Sequence, residues 1–350
     1  MRHFLVAALC AAALWTISAR SEEISESERL ARLSGEGMEI SQEAALVLEK
    51  KLSANPDDIS SRAKLIGYYQ FKREQRGSFL NHIQWLVEHA PQSPLARSPF
   101  IQLSPEEPEY KKLAGAWDVA VQKNGKNDEV LGNAGIFFCH SESLKAEKLL
   151  QEAQKLKPAA SEWHDSLADV YEFRRRSAPL ANIVELASRE LQQREKACEV
   201  IVDEAARLEK RFYKLGDMAE AALLSKQPEK ATKYATELLA LAPKFQDDWN
   251  YGNAIYYGNE ILGRLALQEG KLDKAKDFLL LAGKTKGSPQ LDSFGPQFNL
   301  AKELLAKGEK ETVLQFLKLC GKFWKMGGER LNKWTAEVEA GKIPNFEAHD

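Results

Sequence analysis

Cys139 and His140 stand side by side in LGNAGIFFCH (residues 131–140), a thiol and an imidazole of the kind that ligate metals or act as nucleophile and base. Metal sites need three or four ligands at converging spacings, and the chain has no CxxC, HxxxH or HExxH. The pair also fails as a dyad, because neighbours on a helix point about 100° apart and no partner acid is identifiable. Packing or surface chemistry is the expected role. A second cluster, EWHDSLADVYEFRRR (162–176), gathers Trp163, His164, Asp165 and Asp169, with the two carboxylates four apart on one helix face. General acid and base work needs carboxylates across a substrate cleft, so a solvated, groove-facing pair is the simpler reading. Arg174, Arg175 and Arg176 form a charge cluster that either meets anions or is solvated.

The densest aromatic stretch is QDDWNYGNAIYYGNEILGR (246–264), with Trp249, Tyr251, Tyr256 and Tyr257 within a few turns. Tyr and Trp combine rigid contact area with a polar tip, which suits them to interfaces. If Leu262 and Gly263 pack between helices, Tyr257, Glu260 and Arg264 fall on the opposite face; core packing is the alternative. The candidate partner-binding residues are therefore Tyr257, Glu260, Arg264, Asp165, Asp169 and Trp249. No residue is assigned to catalysis, a cofactor or a metal.

The elements that must position these residues are helical. SLKAEKLLQEAQKLKP, PEKATKYATELLALAP and LDKAKDFLLLAGK carry apolar residues three and four apart, are rich in Ala, Leu, Glu and Lys, and stop at Pro or Gly. No stretch alternates with period two between hairpin turns. The predicted class is all-α.

The same small-residue helix pair recurs. Leu131, Ala134, Gly135 and Phe138 precede Ala146, Leu150 and Pro158; Leu167, Ala168 and Tyr171 follow. Further copies place Met218, Ala219 and Ala222 before Ala231, Ala235 and Pro243, then Leu262, Gly263 and Ala266 before Ala275, Leu279 and Ala282. A last copy has Leu300, Ala301 and Leu304 before Val313, Leu317 and Cys320. Gly135 to Ala168 is 33 residues and Gly67 to Gly135 is 68, two periods of about 34. Antiparallel helices approach closely only where Gly or Ala replaces a bulky side chain. Gly67, Gly135, Ala146, Ala168, Ala219, Ala231, Gly263, Ala275 and Ala301 are the expected contact points.

On these motifs the chain resembles the tetratricopeptide repeat (TPR) family over roughly residues 55–325. The resemblance implies a right-handed α-solenoid of irregular TPR-like helix pairs that binds a peptide, a protein or another subunit on its concave face, normally without catalysis. The Lys and Asn clamp with which some members hold a C-terminal carboxylate is not recognisable, so that ligand class is not carried over.

The array is irregular. Ala168 to Ala219 is 51 residues, and the next two intervals are 44 and 38. A long helical insert, about 177–212, absorbs the excess, with Ser177 as its expected cap and Pro179 in its first turn. Between Gly67 and Gly135 a degenerate copy is expected, its second helix in PEYKKLAGAWDVAVQK and its first in the proline-rich APQSPLARSPFIQLSPEEPEY, which reads as a loop or broken helix. Residues 20–50 are expected to be a flexible acidic stretch followed by a short helix near SQEAALVLEKKL, 51–325 the repeat domain, and 326–350 a capping amphipathic helix and polar tail.

Composition bounds the function. The 350 residues are 44% hydrophobic, enough for a sizeable core, and 49 Lys and Arg balance 51 Asp and Glu for a net charge of -2. No global basic field exists to gather nucleic-acid phosphates. At the start, Arg2 precedes an apolar run from Phe4 to Ile17 and small residues up to Ala19, the anatomy of a signal peptide at 1–19 and too short for the roughly 20 residues of a membrane span. Its removal leaves Cys139, Cys198 and Cys320, expected as buried thiols. The whole predicts an exported, periplasmic or secreted, non-enzymatic scaffold for an unidentified protein or peptide, with no nucleic acid, no cofactor and no membrane span in the mature chain. A solenoid-framed cell-wall enzyme and a structural self-association module are the alternatives.

Overall fold

A computed structural model describes residues 24–346; the expected leader and the last four residues of the tail lie outside them. The described residues are all-α, with no strand among them. Two compact units divide between Arg174 and Arg175.

In the first unit, α1 (Glu26–Gly37) and α2 (Gln42–Ala54) precede the pair α3 (Ile59–Tyr69) and α4 (Arg76–His89). The expected flexible acidic stretch is corrected here from Glu26 onward. Ser25 accepts from the Glu28 backbone while the Glu28 carboxylate accepts from the Ser25 N–H, a capping box that satisfies two orphan donors at once. Leu30, Ser34 and Gly37 of α1 are then buried against α3. The crossing is backbone on backbone: a Cβ on Gly67 would lie 1.8 Å from the Ser34 carbonyl oxygen, and one on Gly37 would lie 2.0 Å from that of Lys64. The proline-rich stretch forms two short 3-10 turns, Pro94–Arg97 and Pro99–Ile101, each preceded by a serine whose hydroxyl accepts from the turn. Next comes α5 (Tyr110–Lys123), followed by α6 (Asp128–Phe138) and α7 (Ser143–Leu156), then α8 (Ser161–Arg176), whose last two residues, Arg175 and Arg176, belong to the second unit. The α6/α7 pair closes where Gly135 meets Leu150 and Ala146, the would-be Cβ lying 2.7 Å from Leu150 Cγ.

The second unit contains α9 (Leu180–Glu199), α10 (Glu204–Leu224), α11 (Pro228–Leu241), α12 (Tyr251–Gln268), α13 (Leu272–Gly283), the short α14 (Pro289–Phe294), α15 (Asn299–Leu305), α16 (Lys310–Cys320) and α17 (Gly328–Glu339). The expected insert is corrected in form. Pro179, not Ser177, holds the N-cap position, one residue before α9 rather than in its first turn, and a break at 200–203 lets Asp203 cap α10 by accepting from the Ala206 N–H. One continuous helix, α10, therefore carries both the end of the insert and the packing residues Met218, Ala219 and Ala222. Nor does α9 loop away from the stack, since Leu186, Ala187, Leu191, Ala197 and Cys198 are buried and it packs on α10.

Three inter-helix turns share one geometry. Seven residues after each of Ala219, Gly263 and Ala301 stands a residue with positive φ, respectively Lys226 (59°), Gly270 (75°) and Gly308 (85°). The next N–H reaches back five residues in each case, Gln227 to the Ala222 carbonyl, Lys271 to Ala266 and Glu309 to Leu304, the Schellman closure of a helix C-terminus. Lys226 occupies a conformation that glycine adopts without strain.

At the C-terminal end, Leu331, Trp334 and Val338 of α17 are buried against the last pair. The expected polar tail is corrected at Phe346, whose ring stacks on Phe298 at 4.9 Å and meets Trp334 edge-on at 5.1 Å.

These crossings predict a sharp contrast between glycines. Gly67→Ala should destabilise the first unit by about 2 kcal/mol or more, because backbone must move to admit the methyl. Gly115→Ala, on an exposed face of α5 with nothing within 4 Å, should instead stabilise it by about 0.5–1 kcal/mol. Urea unfolding monitored by circular dichroism measures both, and equal effects would contradict the account.

Candidate functional site

The thiol and imidazole of the opening motif point apart. Cys139 is buried, and burial, with Asp169 and Glu172 adding to it, pushes its thiol up to about 12, far from a thiolate at neutral pH. His140 is exposed and lies edge-on to Phe173 at 4.7 Å. Cys198 and Cys320 are also buried thiols. Among the described residues no three His, Cys, Asp or Glu side chains gather as a metal site.

Sequence candidates from the first unit divide by exposure: Asp165 is half-buried and Asp169 exposed on α8, while their neighbour Trp163 is fully buried. The Trp163 ring covers Gly132, where a Cβ would come within 2.3 Å of it, and its Nε1–H donates to Asp128 at 3.0 Å. The first glycine of LGNAGIFFCH thus makes room for an indole from α8, the first helix after its own pair.

In the second unit, α12 carries Tyr257, Glu260 and Arg264 on one face, as their spacing requires. Tyr257 is half-buried, its Cβ within van der Waals range of where a Cβ on Gly216 of α10 would be. Asp217 and Glu220 of α10 and Glu303 of α15 complete the surroundings, all within electrostatic reach of the α12 trio. Arg264 Nε donates to Glu303 at 3.0 Å and lies 3.9 Å from Glu260.

Glu260 is 1% exposed, which corrects its expected role: it is an internal prop, closed to direct contact with a partner. Among the described residues its Oε1 meets no hydrogen-bond donor. Burial pushes the carboxyl up to about 7, with Arg264 pulling it down and Glu220 and Glu303 raising it further. Burial also raises the Tyr257 phenol, joined by the carboxylates Glu220, Asp217 and Glu260. Trp249, another candidate contact residue, is half-buried and stacks on Tyr213 at 5.8 Å, while the Tyr213 hydroxyl donates to Asp248 at 2.6 Å.

A chain of charges leads into this face from Arg175, in the last turn of α8, and from α9. Arg175 Nε pairs with Glu190 at 2.9 Å and its Nη2 lies 3.8 Å from Glu220; Arg194 reaches Glu190 at 3.2 Å and Asp217 at 3.6 Å. Glu190 and Arg194 are each 1% exposed. None of Glu190, Arg194, Asp217, Glu220 or Glu303 was singled out by sequence. Only the four-residue interval from Glu190 to Arg194 was visible there, and such pairs are common on solvated helices.

The first unit holds a smaller buried network that sequence also missed. Arg62 donates to His82 Nδ1 at 3.1 Å, so Nδ1 must be the lone-pair nitrogen; Nε2–H then donates to Glu49 at 3.0 Å, and Tyr69 donates to the same Glu49 oxygen at 2.9 Å. Burial lowers the His82 pKa, in keeping with an imidazole locked neutral by a guanidinium.

These two buried groups predict opposite pH responses. The Glu260 pKa is higher folded than unfolded, so the second unit should lose stability as pH rises from about 4.5 through about 7. Glu260→Gln should remove that slope and stabilise the unit at pH 8 by up to about 3 kcal/mol. The His82 pKa is lower folded than unfolded, so the first unit should lose stability as pH falls below about 6.5, and His82→Gln should flatten that limb. Denaturant titrations at a series of pH values read both slopes, and an unchanged pH profile in either variant refutes the corresponding assignment.

No family model matches the chain, and no curated protein matches it. Among solved structures, a monomeric IFIT1 mutant with Gppp-AAAA has a TM-score of 0.49 and the human IFIT1 dimer with m7Gppp-AAAA one of 0.48; each is 16% identical and the alignment covers 97% of this chain and 76% of theirs. At that distance the likeness carries no argument about ligand or activity.

Proposed function

We propose that this chain is an exported, non-enzymatic scaffold that binds a protein or peptide across the α10/α12/α15 face of its second unit. One observation carries the reading: three successive first helices of the repeat pairs turn charged side chains to a common face, where Arg264 is held between Glu260 and Glu303 beside half-buried Tyr257. Orienting a guanidinium and a phenol in advance lowers the entropy lost when a partner docks. Asp165 and Asp169 of the first unit are a secondary candidate contact. The balance of 49 basic against 51 acidic residues supports a protein rather than a nucleic-acid ligand. Export rests on the leader-like run of residues 4–17. No helix among the described residues is long and apolar enough to cross a membrane.

Capture from the periplasm or culture medium tests this, with the mature chain as bait and mass spectrometry as readout. Removing Arg264 alone would strand Glu260, so the Glu260→Gln/Arg264→Gln pair keeps the interior neutral. The double variant should lose the partner at unchanged solution mass. A fall in mass would favour self-association instead, and turnover of a wall polymer by the purified protein would refute the non-enzymatic reading.

A further inference from the structure

Elsewhere in the second unit, on residues that share neither sequence nor chemistry with the α12 trio, α13 and α16 leave a notch of about 350 Å³ between them. Leu280 and Leu319 form its floor, and Lys284, Lys318, Lys322 and Gln315 surround them, with no Asp or Glu in the lining. Beside the notch α13 ends in Gly283, whose would-be Cβ lies 3.0 Å from both Leu319 Cβ and the Phe316 ring. Helix α16 can therefore come in close there.

Among the described residues, none of these three lysines pairs with a carboxylate. Other lysines of this unit do pair: Lys276 with Asp273 and Glu309, Lys271 with Glu269, and Lys230 with Glu195. Lys284 directly follows α13, Lys318 is in the last turn of α16 and Lys322 lies just beyond it. Cations at helix C-termini offset the carbonyl ends, which explains their positions but leaves the apolar notch between them unused.

We propose that this notch binds a single-chain alkyl carboxylate, its tail along Leu280 and Leu319 and its headgroup among Lys284, Lys318 and Lys322. The opposed charge fixes the headgroup, since three ammonium groups at one mouth favour an anion and exclude a cation. The size fixes the tail. A notch at the lower end of the roughly 300–1,000 Å³ range of ligand sites, floored by two leucines, suits one unbranched chain rather than a bulkier amphiphile. A docked partner helix needs apolar anchors over several turns, whereas the outer surface of α13 before Leu280 exposes Asp273, Lys274 and Asp277.

Dodecanoate, titrated into the full chain below its micelle concentration and followed by calorimetry, is expected to saturate at one molecule per chain. K284E/K318E/K322E, changed at exposed positions, should weaken binding at least tenfold with an unaltered helical circular dichroism spectrum; if it fails to fold, the milder K284Q/K318Q/K322Q variant takes its place with the same expected direction. Dodecyltrimethylammonium, the same tail with the opposite head, should not bind. Unsaturable uptake, equal affinity in the lysine variants, or equal binding of the cationic amphiphile would overturn the proposal. So would binding of a labelled acidic peptide at these lysines by a chain that leaves dodecanoate free, which would assign the notch to a protein partner.

Discussion

Helix axes in this chain come together where a side chain is missing. Gly67 against Ser34, Gly135 against Leu150, Gly258 against Leu239 and Gly263 against Leu300 each place a neighbour's atoms where a Cβ would otherwise stand. The dispersion attraction at any one atom pair is weak, but it recurs along every helix pair and falls off steeply with separation. A single pair cannot bury its apolar stripe, so each leans on the next. Ala146, Ala168, Ala219, Ala231, Ala275 and Ala301 are all buried, and the large residues beside them, Leu150, Leu167, Met218, Leu279 and Leu300, fill the remaining space. A methyl at the wrong crossing displaces backbone, and backbone has no rotamer by which to yield.

The closure of the turns keeps this packing in register. Lys226, Gly270 and Gly308 end their helices at one distance from the small residue that packs, so the second helix of each pair starts where its own Ala231, Ala275 or Val313 can meet the first. Variation in interval between copies is taken up after the second helix: Thr285 donates to the Gly252 carbonyl at 2.8 Å, and a Cβ on Gly252 would collide with the Gly287 carbonyl. Unequal spacing in sequence is thus compatible with equal packing within each pair.

Against this apolar frame the buried charges are unfavourable in themselves. Glu190, Arg194 and Glu260 have left water almost completely, and ion pairs inside a protein seldom offset that transfer in full. Such a chain of arginines and carboxylates fixes the orientation of the groups at its exposed end. Arg264 and Tyr257 hold one geometry because Glu260, Glu303 and Gly216 surround them.

The sequence by itself determined the helical class, the positions of most helices and the small residues at which they touch, because periodicity and Gly or Ala at fixed intervals are local properties of the chain. It also placed Tyr257, Glu260 and Arg264 on one face. It misjudged residues 26–37, where the capping pair of Ser25 and Glu28 outweighed an acidic composition, and it set the insert apart although α10 runs through its end without a break. Tertiary structure alone decided that Glu260 is internal while Arg264 reaches solvent, that Trp249 stacks on Tyr213, and that three lysines at the ends of two helices share one notch. Those outcomes depend on which helices become neighbours. Exposure, desolvation and the meeting of side chains distant in sequence arise from packing, and no interval along the chain encodes them.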